Sequence, residues 1–92
     1  MRVALADDAV VLREGLARML AEAGVEVAAQ VGTADDLLTV VQALRPDVAV
    51  VDIRMPPTFT DEGVHAAQQI RAKHPGIGVL VLSQYVEPGY AM

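Results

Sequence analysis

Asp7, Asp8, Asp52 and Ser83 are the residues of this chain whose types and places allow chemistry. Each follows a short apolar run: Arg2 to Ala6 before Asp7 and Asp8, Val48 to Val51 before Asp52, and Ile77 to Leu82 before Ser83. If those runs are neighbouring parallel strands, their carboxyl ends meet, and that edge of an open α/β sheet is where ligands bind. Three carboxylates drawn into one cleft repel unless a cation lies among them. Oxygen donors suit a hard divalent ion, and magnesium better than zinc, because it uses one or two carboxylates and keeps waters and phosphate oxygens. A carboxylate beside such an ion can attack phosphorus and form an aspartyl phosphate. The ion would offset charge on the transferred group, and a hydroxyl at Ser83 could donate to a phosphoryl oxygen.

The elements that must position these residues can be read in order. Arg2 to Ala6 is a first strand. From Ala9 to Ala23, Leu12, Leu16, Met19, Leu20 and Ala23 recur on one helical face, with Arg13, Glu14, Arg18 and Glu22 off it. Asp8 is the expected N-cap and Gly24 the terminator. Val25 to Val31 is a second strand. Thr33 caps a second helix, Ala34 to Leu44, with Leu37, Val41 and Leu44 inward and Asp36 completing a weak capping box. Arg45-Pro46 ends it. Asp47 opens the third strand, whose unbroken Val-Ala-Val-Val run predicts burial on both faces. Thr60 or Asp61 begins a third helix that runs to about His74, with Val64, Ala67 and Ile70 inward, and Pro75-Gly76 stops it. Ile77 to Leu82 is a fourth strand, and Glu87-Pro88 reads as the start of another helix. The order β-α-β-α-β-α-β suits right-handed crossovers and a doubly wound parallel sheet.

Composition narrows the class. A hydrophobic content of 53% in 92 residues argues for one small domain with a packed core of Ala, Val and Leu. The absence of Cys excludes disulfides and thiolate metal sites and fits a reducing compartment. A net charge of −5 argues against non-specific nucleic-acid binding by this segment. No apolar run reaches membrane-spanning length and no signal peptide is visible, so the expectation is a soluble cytoplasmic domain without membrane contact.

On these residues the chain resembles the receiver domain of two-component response regulators. The motifs are Leu5-Ala6-Asp7-Asp8, Val50-Val51-Asp52-Ile53-Arg54-Met55-Pro56, Asp61-Glu62-Gly63 and Val81-Leu82-Ser83, and the likeness covers all 92 residues. It implies a flavodoxin-like α/β fold with strand order 2-1-3-4. It implies Asp52 as phosphoacceptor, Asp8 as a direct Mg2+ ligand, Asp7 as a ligand through water, Arg54 as a ligand through its backbone carbonyl, and Ser83 as the switch hydroxyl. A sensor histidine kinase would be the phosphoryl donor, and the domain a switch rather than an enzyme. The segments Pro56 to Gly63 and Ser83-Gln84-Tyr85 most resemble regulators with a LuxR-type helix-turn-helix output domain. DNA binding and transcription regulation would belong to that domain, which is not in this chain.

Receivers of this family carry a fifth strand ending in a Lys that pairs with the phosphoryl group, and then a fifth helix. Here Lys73 is the only lysine, late on the third predicted helix, and the sequence ends at Met92. Residues 1–92 therefore read as a receiver incomplete at its C-terminus, with the fourth strand an open edge. Such an edge invites pairing, so a homodimer or oligomer through it is expected. The competing reading is a truncated, phosphorylation-incompetent interaction or dimerisation module. Asp7 and Asp8 as helix caps alone, and Ser83 as an ordinary turn serine, are the plainer alternatives. His65 and His74 read as solvated helix residues. An aspartate-nucleophile phosphatase would want a second Asp where Arg54 stands, and a dinucleotide fold a Gly-rich turn where Asp7-Asp8-Ala9 stands.

Overall fold

The structure, a computed structural model, describes residues 1–53, 55–56 and 60–82. Among them lie β1 (Arg2–Ala6), α1 (Val10–Glu22), β2 (Glu26–Val31), α2 (Ala34–Leu44), β3 (Val48–Asp52), α3 (Glu62–Lys73) and β4 (Gly78–Leu82). The strands form one sheet in the order β2-β1-β3-β4, and every adjacent pair is parallel. This is the flavodoxin-like order that the resemblance implies. Among the described residues no helix is long and apolar enough to cross a membrane.

Local chemistry sets the helix ends. The chain leaves α1 through a complete Schellman motif: Gly24 N–H donates to the Ala21 carbonyl at 3.0 Å and Val25 N–H to the Leu20 carbonyl at 2.9 Å. Gly24 takes φ +85°, where a side chain would be strained. The Thr33 hydroxyl accepts from Asp36 N–H at 3.1 Å and caps α2 as its sequence predicts. Arg45, in a left-handed conformation ahead of Pro46, closes α2. The start of α1 differs from expectation. Its N-cap is Ala9, with no side chain on the helix end, and the Asp8 carboxylate does not cap it. Asp7 instead accepts from Ala9 N–H at 2.9 Å, so the short-range role falls to the first aspartate of the pair.

Two apolar layers flank the sheet. On one face Ala4, Ala6, Ala49 and Val51 pack with Leu37 and Val41 of α2, Ala66 and Ile70 of α3, and Met55. On the other, Val3 and Leu5 pack with Ala17 of α1, and Leu16, Leu20, Val48 and Val50 are only partly covered. Burial of β3 is thus complete on the face shared with α2 and α3 and partial on the α1 face, where among the described residues α1 alone packs. The predicted inward face of α1 is likewise only half used. Leu16 and Leu20 reach the sheet, whereas Leu12 and Met19 are 49% and 67% exposed, and Ala23 is exposed. Leu44 is also exposed rather than inward. Its carbonyl accepts from the Arg2 guanidinium at 2.9 Å, and its side chain is 37% exposed.

β4 is an outer strand of the sheet, paired on its inner side with β3. Leu80 sits opposite Val50, on the α1 face, and is 53% exposed. A groove of about 550 Å³ runs between this end of the sheet and α1, lined by Val11, Leu12, Gly15, Leu16, Met19 and Leu82, with Asp7 at one end. Among the described residues nothing pairs with the outer side of β4, the edge anticipated for the fourth strand.

Candidate functional site

Register places the acids. β1 and β3 are adjacent and parallel, with Ala6 opposite Val51, so Asp7 leaves one strand beside the point where Asp52 ends the other. One carboxylate oxygen from each of Asp7, Asp8 and Asp52 lies within 4.8 Å of the others. The three grade from protein to solvent: Asp52 is buried at 6% exposure, Asp7 half-buried and Asp8 exposed. The sequence-predicted carboxylates therefore do converge. Arg54 and Ser83, the other two expected site residues, lie outside the described residues, as do Tyr85, Tyr90 and the helix start at Glu87-Pro88.

The surrounding chain holds both turns tightly. After β1, Asp7 Oδ1 accepts from Ala9 N–H, and Arg13 of α1 reaches back to donate from Nη1 to the Asp7 carbonyl at 2.9 Å. After β3, Ile53 N–H donates to the Leu82 carbonyl at 3.0 Å and Gly63 N–H to the Ile53 carbonyl at 2.9 Å. Met55, fully buried, plugs the loop into the core between α2 and α3. A cavity of about 10 Å³, the space of one water, lies behind the acids between Asp7, Arg13, Leu16, Asp52 and Leu82.

Two unit charges about 4 Å apart repel by about 1 kcal/mol in water and about 4 kcal/mol near a protein surface. A cluster this close favours a divalent cation, and all its donors are oxygens, the set a hard ion prefers. Open solvent on the Asp8 side leaves room for the waters that magnesium keeps, so the residues fit the ion. Neither Lys73 nor His65 substitutes for it. Lys73 closes α3, whose first turn touches Asp52, and ten residues of helix carry it about 15 Å away. His65 is exposed on α3 and its Nε2 lies 3.1 Å from Asp61 Oδ2.

Two residues of this site were not singled out from sequence. Gly63 belongs to the Asp61-Glu62-Gly63 motif, but its closeness to Asp52 depends on how α3 docks. Arg13 lies off the apolar face of α1, and its fold-back to the Asp7 carbonyl leaves no periodic signal.

The family model for the response regulator receiver domain matches residues 3–92. The chain is 33% identical over 86 residues to the DNA-binding transcriptional activator DevR/DosR of Mycobacterium tuberculosis, an alignment covering 92% of this chain and 38% of that protein. It is similar in structure to the signal receiver domain of the response regulator NarL from the same organism, with a TM-score of 0.82 and 33% identity over 97% of this chain and 70% of that one. A LuxR-family DNA-binding response regulator from Staphylococcus aureus also gives a TM-score of 0.82, at 27% identity, over 97% of this chain and 72% of that one. The chain spans less than two-fifths of the length of the curated relatives with which it aligns.

Proposed function

Because the chain belongs to the response regulator receiver domain family, we propose that it accepts a phosphoryl group on Asp52 from the phosphohistidine of a sensor histidine kinase. The single observation that supports this most is the convergence of Asp7, Asp8 and the buried Asp52 within 4.8 Å at the carboxyl edge of the sheet. In this reading residues 1–92 are one receiver domain. Asp8 and Asp52 hold Mg2+ with Asp7 acting through water, Arg54 adds its backbone carbonyl, and Ser83 is the hydroxyl that meets the phosphoryl group.

An oxygen of the Asp52 carboxylate attacks phosphorus as the bond from phosphorus to the imidazole nitrogen breaks, and that nitrogen keeps the electron pair. Bound Mg2+ supplies charge neutralisation for the transferred group. The Asp7 turn and the α3 start hold the nucleophile in place, so little reorganisation accompanies transfer. The domain is a switch: charge added at Asp52 biases the Ser83 end of β4. Its place is the cytoplasm, with the kinase. Transcription regulation through DNA falls to an output domain outside the aligned portion, as the name of the DevR/DosR relative suggests.

Incubation with acetyl phosphate and Mg2+, read by intact mass, tests this reading. One phosphoryl group should be gained by the wild type and none by Asp52→Asn. A beryllofluoride titration that leaves the Asp52 region unchanged would reject it.

A second reading is favoured by the uncovered α1 groove and the outer edge of β4. In it, the chain is a phosphorylation-incompetent interaction module that pairs with a second copy through β4. Failure of acetyl phosphate transfer together with a stable dimer in sedimentation would select it.

A further inference from the structure

We propose that Arg13 is a positioning residue of the phosphoryl site, holding the Asp7 main chain, and with it the departure of Asp7 and Asp8 from β1, in place. The inference deepens the phospho-accepting reading and rests on it.

Arg13 lies on the second turn of α1, yet its side chain folds back under the strand ends rather than into solvent. Nη1 donates to the Asp7 carbonyl at 2.9 Å, and the same nitrogen stands 3.4 Å from where a Cβ on Gly32 would be, just past β2. The guanidinium thus bridges the carboxyl ends of β1 and β2. A hydrogen bond from a charged donor to that carbonyl fixes the peptide immediately ahead of Asp8, and so the direction in which both aspartates leave the strand. The Asx turn from Asp7 to Ala9 fixes the same segment from the other side.

Arg13 also lines the cavity of about 10 Å³ that Asp7 and Asp52 share. Its Nε is buried and has no hydrogen-bond partner among the described residues. A buried donor left unmet is unfavourable, and such atoms are rare in folded proteins. Arginine suits this role because its planar fork holds the donor to the Asp7 carbonyl in a fixed geometry.

Calorimetric titration of the 92-residue chain with Mg2+, together with the amide chemical shift of Ala9, tests the assignment. Outer-shell partners of a metal site typically change affinity by about 10- to 100-fold when removed. Arg13→Met should therefore weaken Mg2+ binding by about tenfold and shift the Ala9 amide without metal, in a chain that circular dichroism shows to be folded. Arg13→Lys, which keeps a donor without the planar fork, should recover part of the affinity. Should Arg13→Met not fold, Arg13→Leu replaces it with the same expected loss. Wild type and Arg13→Met binding Mg2+ equally would overturn this inference and leave the phospho-accepting reading standing. A wild type that binds no Mg2+ would overturn that reading, and this inference with it.

Discussion

Gly63 and Asp52 are in backbone contact. A Cβ on Gly63 would overlap the Asp52 carbonyl oxygen and stand 2.7 Å from its carbonyl carbon and 2.9 Å from the Ile53 Cα. The first turn of α3 is thus packed directly on the strand end that carries the buried carboxylate, and the Gly63 N–H bond to the Ile53 carbonyl ties the two together. No flexible side chain is available to yield. Gly63→Ala should destabilise the fold by about 3 kcal/mol, at the upper end of overpacking costs, because backbone must move. Urea denaturation measures the loss, and acetyl phosphate labelling of any folded fraction should fall as Asp52 is displaced.

Gly15 and Gly24 should respond in opposite directions. Gly15 lies inside α1, and among the described residues nothing stands within 4 Å of where its Cβ would be. Gly15→Ala should therefore stabilise by about 0.5–1 kcal/mol through helix propensity. Gly24, at φ +85°, terminates the same helix, so Gly24→Ala should destabilise by about 1 kcal/mol. Paired thermal melts of the two variants check the sign.

Asp8 is the most exposed member of the acidic cluster. Without divalent ions, Asp8→Asn should raise stability by about 1 kcal/mol by removing like-charge repulsion. Adding Mg2+ should reverse the ranking. The wild type should gain about 2.7 kcal/mol at an ion concentration about 100 times its dissociation constant, and the variant much less. Melting curves with and without Mg2+, against a Ca2+-free and EDTA-treated reference, supply the comparison.

Leu80 offers a test of the outer strand. It is 53% exposed on β4, where a lysine would meet solvent. Leu80→Lys should leave folding stability within about 0.5 kcal/mol, as for most surface changes. It should also lower self-association through this edge, since edge charges oppose strand pairing. Sedimentation velocity across a concentration series decides; a wild type that stays monomeric at high concentration would discard the proposed edge-to-edge dimer.

Most of the secondary structure is legible in the linear chain, and the reasons are local. Gly24 at the end of an apolar period, Thr33 three residues before Asp36, and Pro46 after Arg45 each act within a few residues of backbone, so α1 and α2 end where their sequences say. The same holds for the acids: Asp7, Asp8 and Asp52 follow short apolar runs of strand length, and their placement at strand ends needs no distant partner. That they share a pocket required the order β2-β1-β3-β4, which the family resemblance implied and periodicity alone could not decide.

Tertiary structure decided what depends on neighbours. Leu12 and Met19 carry the right period yet are exposed, because a helix buries only the stripe that another element covers. Asp8 was suited to cap α1, but the β1–α1 turn gives the local bond to Asp7 and turns Asp8 toward the cluster. The bare hydrogen at Gly63 and the buried reach of Arg13 follow from α3 and α1 docking onto strand ends far away in sequence. Residue type and spacing determine which groups are available; only packing across the sheet determines which of them touch.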